Sequence, residues 1–103
     1  MKITAAVLET GGIERDFDRA QALTVRDDTD LAPPGPGEVL IRLAAAGVCH
    51  SDLSVINGTR PRPVPMVLGH EASGFVEALG DSVDDLTVGD HVVCIFAPGC
   101  GTC

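Results

Sequence analysis

The sequence has no tryptophan, no tyrosine and only 3 phenylalanines, so platforms on which exposed bases could stack are missing. Positive charge is scarce as well. Only 7 lysines and arginines stand against 15 acidic residues, giving a net charge of -8 with no basic cluster. Such a field repels a phosphate backbone and argues against nucleic acid as a partner. No apolar run approaches the length of a membrane span. The N-terminal run Met1 to Leu8 is stopped by Glu9, and no small-residue cleavage site follows it. The expectation is therefore no signal peptide, no membrane partner and a cytoplasmic location. Also missing is a Gly-x-Gly-x-x-Gly turn after a strand, which removes the usual dinucleotide-binding crossover from these residues.

What is present reads as one soluble domain of 103 residues, 45% apolar and 21% charged, enough for a single core but small for an enzyme that binds a large cofactor. Its punctuation is that of an all-β chain without repeats. Ile3 to Leu8 predicts a strand, broken by Gly11-Gly12 and followed by a polar loop over Glu14 to Phe17. Ala22 to Arg26 predicts a second strand, antiparallel to the first. Pro33, Pro34 and Pro36 exclude helix and central strand, leaving a surface turn over Pro33 to Glu38. Val39 to Ala46 predicts a third strand with Arg42 facing out and Ile41 and Leu43 facing in. About one helical turn fits Ser51 to Ile56 before Asn57-Gly58 stops it, and the prolines of Arg60 to Pro65 enforce an extended loop. Ala72 to Leu79 reads as a strand with Ala72, Gly74, Val76 and Ala78 on one face. Val88-Gly89-Asp90 turns the chain into a last strand, His91 to Phe96.

Chemistry concentrates in Gly47-Val48-Cys49-His50-Ser51-Asp52 and in Gly69-His70-Glu71. Without a secretion signal, metal binding is a better default than disulfides for Cys49, Cys94, Cys100 and Cys103. A catalytic zinc takes three protein ligands and keeps a fourth position open, and two cysteines with one histidine are among the sets that serve it. Two thiolates and a neutral imidazole cancel the ion's charge. A bound alcohol then loses its proton readily and becomes a much better hydride donor. Cys49 and His70 suit that role with one more soft ligand, and the Ser51 hydroxyl could begin the proton's way out. Plainer readings stand beside these. Cys49 could be a buried thiol and His70 a satisfied imidazole; Ser51 and Asp52 could be helix caps. Glu71 and His50 could simply face water. Cys94, inside an apolar run, reads as a buried core thiol, and His91 as a surface or strand-edge residue. Cys100 and Cys103 form half of a zinc knuckle or a redox pair, the latter lacking its βαβ context.

Together with Val88-Gly89-Asp90-His91-Val92 and Cys100-Gly101-Thr102-Cys103, these motifs resemble the zinc-dependent medium-chain alcohol dehydrogenases, in register over essentially the whole chain. The resemblance implies a mainly β, GroES-like, partly open β-barrel with short helical turns, without the family's Rossmann domain. It implies one incomplete catalytic domain over residues 1–103 that ends inside the structural-zinc lobe. Cys49 and His70 become ligands of a catalytic zinc, with Glu71 close enough to exchange onto it. Ser51 becomes the hydroxyl bonded to the substrate oxygen, Asp52 the carboxylate that orients the His70 ring, His50 a contact to the cofactor pyrophosphate, and Phe96 a pocket wall. Cys100 and Cys103 become half of the structural-zinc ligands. The implied activity is oxidation of an alcohol to an aldehyde or ketone by hydride transfer from a zinc-bound alkoxide to NAD or NADP held by the missing domain. The implied partner is a small alcohol or aldehyde, and the full enzyme is expected to be a homo-oligomer. The chain alone is expected to be inactive; the alternative is a stand-alone zinc-binding or GroES-like interaction module. One departure is Ser54, where some members place a proton-carrying histidine.

Overall fold

The computed structural model describes residues 1–12, 23–97 and 99–102. In chain order it contains β1 (Lys2–Leu8), β2 (Leu23–Asp30), β3 (Val39–Ala46), α1 (His50–Ile56), β4 (Met66–Val67), β5 (Ala72–Leu79) and β6 (His91–Val93). The strands form two sheets of three, in the orders β2-β1-β4 and β3-β5-β6. Neither sheet is closed into a barrel among the described residues, and the class is mainly β, as the sequence predicts. The chain divides into two units: Met1–Ala32 with Val48–Gly69, and Pro33–Gly47 with His70–Cys103.

The first unit is built on β1. Its inward residues Ala5 and Val7 are buried, and Leu8 is fully so at 0% exposure. On one side β1 pairs antiparallel with β2, with a register shift between Ile3 and Ala5; on the other it pairs with β4. The expected second strand is present but longer. It runs on through Arg26 to Asp30, while Ala22 and the loop expected over Glu14 to Phe17 lie outside the described residues. Its acidic second half hides its strand character, because these residues decorate an edge rather than fill a core. There Lys2 pairs with Asp30 at 2.8 Å, and Arg26 pairs with Asp28 at 3.0 Å and Glu9 at 3.1 Å. All are solvent-exposed pairs of small energetic weight. The two-residue β4 has no counterpart in the sequence pattern, since Met66-Val67 is too short to carry a period of its own.

The second unit is organised by β5, which pairs antiparallel with β3 and β6. Val76 is its buried centre, at 2% exposure. Gly74 lies against β3 so closely that a Cβ there would collide with the Arg42 carbonyl oxygen and come within 2.9 Å of Ile41 Cγ2. The β3–β5 register shifts twice, between Leu40 and Ile41 and between Leu43 and Ala45. Between these shifts Ile41↔Val76, Arg42↔Phe75 and Leu43↔Gly74 stay in register, but Leu43 lies opposite a glycine with no side chain to cover it and is 56% exposed rather than interior. The expected Pro33 to Glu38 turn is present: the Glu38 N–H donates to Gly35 O at 3.0 Å and the Gly80 N–H to Glu38 O at 2.8 Å. The last strand ends at Val93, so the expected extension to Phe96 does not form; Ile95 and Phe96 are exposed. Cys94 is correspondingly half-buried rather than a core thiol, although its N–H still donates to Ala72 O at 2.8 Å. Across one face, Arg42, Phe75 and His91 are direct neighbours on the three strands. The His91 ring stacks on Phe75 at 4.9 Å, and the Arg42 guanidinium lies 5.4 Å from the Phe75 centroid. His91 is exposed, as expected.

Candidate metal centre

In the second unit, the strand pairing that ends at Ala46↔Ala72 is continued by one more bond. The Gly47 N–H donates to Glu71 O at 2.8 Å, so the chain leaving β3 runs beside the chain entering β5. His70 immediately precedes Glu71, after Gly69 turns the backbone with φ of 111°. His70 is half-buried and Glu71 exposed, and the two offer ligand atoms within 4.8 Å of each other.

Cys49 follows Gly47 by two residues, a covalent reach of at most about 7 Å. Cys49, His70 and Glu71 are the group among the described residues that has the donors to hold a metal ion. Cys49 is also the N-cap of α1, extended at φ -114° and ψ 150°. Its N–H donates to Asp52 Oδ2 at 3.1 Å, while the Asp52 N–H donates to Cys49 O at 3.0 Å. The capping role weighed for Asp52 is thus real, and it fixes the backbone that carries the thiol. Ser51 occupies the first turn, half-buried, beside an exposed His50. Ser54 donates its hydroxyl to His50 O at 3.3 Å, which ties it to its own helix. Asn57 ends α1, and Gly58 at φ 84° turns the chain away.

The remaining candidates lie in the second unit. Phe96 follows β6 and is 78% exposed. Cys100 is exposed, and its Sγ accepts from both the N–H and the hydroxyl of Thr102, each at 3.5 Å. Cys103 lies outside the described residues.

The alcohol dehydrogenase GroES-like domain family matches residues 35–103. The chain belongs to the alcohol dehydrogenase family. Within that family, it is 48% identical over 103 residues to a candidate alcohol dehydrogenase D of Mycobacterium tuberculosis and covers 26% of that protein. It is 43% identical over 103 residues to the NDMA-dependent alcohol dehydrogenase of Amycolatopsis methanolica, covering 25% of it. Among solved structures, an alcohol dehydrogenase zinc-binding domain protein from Burkholderia ambifaria superposes with a TM-score of 0.85 at 39% identity, over 100% of this chain and 25% of that one. This alcohol dehydrogenase chain therefore spans about a quarter of the length of the curated relatives it matches. Among its described residues, no helix is long and apolar enough to cross a membrane.

What sequence reasoning missed in this family member is Gly47. It stands in the motif only as a strand terminator, because its partner Glu71 is remote in sequence.

Proposed function

We propose that this chain is the catalytic-domain part of a zinc-dependent oxidoreductase that converts an alcohol to an aldehyde or ketone, with NAD or NADP as the hydride acceptor. The observation that carries this reading is the Gly47–Glu71 backbone bond, which draws the start of the Cys49 segment alongside His70. The donor set fits the metal: a thiol, an imidazole and a carboxylate are the ligand types zinc accepts, and they leave a position open. Zinc held by Cys49 and His70, with Glu71 able to join them, supplies Lewis-acid polarisation of the alcohol oxygen.

The chain's own residues do the rest. Asp52 holds the Cys49 backbone in its extended cap, so the thiol starts from a fixed point. It also serves the His70 ring as an orienting carboxylate, the usual way such a ligand is steadied. The Ser51 hydroxyl would relay the alcohol's proton, taking it up as it passes its own on to water, and NAD or NADP, when bound, would supply the hydride acceptor. His50 meets the pyrophosphate, and Phe96 walls the substrate. Cys100 and Cys103 supply half of a structural zinc site. The relatives' names support an alcohol as substrate. Residues 1–103 form one GroES-like catalytic domain in this reading, working in a cytoplasmic homo-oligomer.

The test is zinc content by elemental mass spectrometry on the protein that carries this chain, beside NAD(P)-linked alcohol oxidation. C49A and H70A should each lose the catalytic zinc and the activity together. S51A should keep its zinc and turn over more slowly. Full zinc in both ligand variants would remove the assignment.

A further inference from the structure

Gly47 does more than end a strand. Its φ is not positive, so its backbone is outside the left-handed region that favours glycine. A left-handed φ is therefore not what asks for glycine here. The space beside it does: a Cβ built on Gly47 would lie 3.1 Å from Glu71 Oε2 and 3.5 Å from Glu71 Cβ. The second distance is ordinary contact, whereas the first is tight enough that the carboxylate oxygen must give by a few tenths of an ångström. Gly47 and Glu71 also line the same shallow, open depression of about 330 Å³, with Ala45, Ser73 and Val93. The Glu71 carboxylate thus has room to swing on one side and the bare Cα of Gly47 on the other.

We infer that Gly47 is a positioning residue for Glu71: its N–H holds the Glu71 backbone, and its missing side chain leaves the seat that the Glu71 carboxylate occupies beside His70. The inference rests on the metal reading above and adds a residue to it. Its consequence is that a single methyl group at position 47 moves the carboxylate and leaves the strands alone, because the atom that must yield is the end of a flexible, exposed side chain.

The experiment is a double-mutant cycle on the protein that carries this chain, with wild type, G47A, E71A and G47A/E71A each loaded with zinc. The main readout is the rate of zinc release to excess chelator, followed by a chromogenic indicator. The absorption spectrum of the cobalt-substituted protein is the second. G47A should keep its zinc content and unfold within about 2 °C of wild type. Its zinc release should change by about threefold or more, the scale of coupling between residues in contact. In the E71A background, with no carboxylate to displace, the same substitution should change nothing. An unchanged release rate and cobalt spectrum in G47A would overturn the inference. So would an effect that persists in full in G47A/E71A, or a G47A protein that fails to fold. Loss of zinc in C49A and H70A with a neutral G47A removes only this inference. Zinc retained in both ligand variants removes the metal reading first.

Discussion

Asp52 caps α1 and, in the proposed zinc site, would also orient His70; two substitutions divide these duties. Asp52→Ala removes the acceptor of the Cys49 N–H bond at 3.1 Å and the carboxylate together. Asp52→Asn keeps an acceptor oxygen and removes the charge. The helix at stake has seven residues, His50–Ile56, far below the length at which a helix stands unaided in water. Its first turn therefore leans on the cap. Loss of such a cap costs about 0.5–2 kcal/mol, and Asp52 is only half-buried, so we expect about 1 kcal/mol for Asp52→Ala. Asp52→Asn should lose less than half as much. Urea denaturation followed by far-UV circular dichroism reads this directly, as a shift in midpoint without a change in slope. Zinc affinity should order the variants differently. Both should bind more weakly by at least about tenfold, because the amide cannot replace a carboxylate beside a ligating imidazole. If Asp52→Ala is as stable as wild type, the cap reasoning is wrong. If Asp52→Asn binds zinc as tightly as wild type, the charge has no part in the site.

Two further outcomes test the fold itself. Gly74→Ala drives a Cβ into the Arg42 carbonyl, and backbone cannot retreat as a side chain can, so the variant should lose about 3 kcal/mol or fail to accumulate folded. A thermal melt within experimental error of wild type would contradict the close approach of β3 and β5. The charged edge of β2 gives a pH prediction. Hydrogen bonding from the Arg26 guanidinium, and then its charge, hold the Asp28 carboxyl below the ordinary range, and the same pair pushes Arg26 upward. The contribution is present above the ordinary carboxylate range and is lost as pH falls through the depressed value. Arg26→Met should return Asp28 to ordinary titration by NMR, and 1 M salt should narrow the difference, because the pair is exposed.

The strands legible in the sequence either alternate against a core, as β1 and β5 do, or are bracketed by turn residues, as β3 is by Pro36-Gly37 and Gly47, with its expected Val39–Ala46 limits observed. β1 and β5 carry Ala5, Val7 and Val76 inward, and their expected limits match the observed ones within a residue. The misses share a cause in long-range pairing. Leu43 is exposed because the residue paired with it is Gly74, which has no side chain to cover it and lies beyond the helix and the proline loop in sequence. The end of β2 is held by backbone pairing with β1, Lys2 against Asp30 and Ile3 against Thr29, rather than by burial, so its acids look like loop. Ile95 and Phe96 continue an apolar run past β6 without entering a core, which no local pattern distinguishes from a longer strand. Of the candidate centre, Cys49, His70 and Glu71 could be named from motif chemistry. The seat that Gly47 leaves for Glu71 could not, because it exists only once β3 and β5 are paired.

The Arg42–Phe75–His91 row also furnishes a reporter. An imidazole stacked 4.9 Å from a phenyl ring, at an interplanar angle of 22°, sits in that ring's magnetic shielding cone. The carbon-bound protons of His91 should therefore resonate upfield of those of an unstacked histidine. With neither tryptophan nor tyrosine among these 103 residues, fluorescence has little to say about them, but the aromatic proton spectrum they contribute is nearly empty. A single displaced imidazole line would then follow β5 and β6 through folding and unfolding, and Phe75→Leu would send it back to its ordinary frequency with the sheet intact.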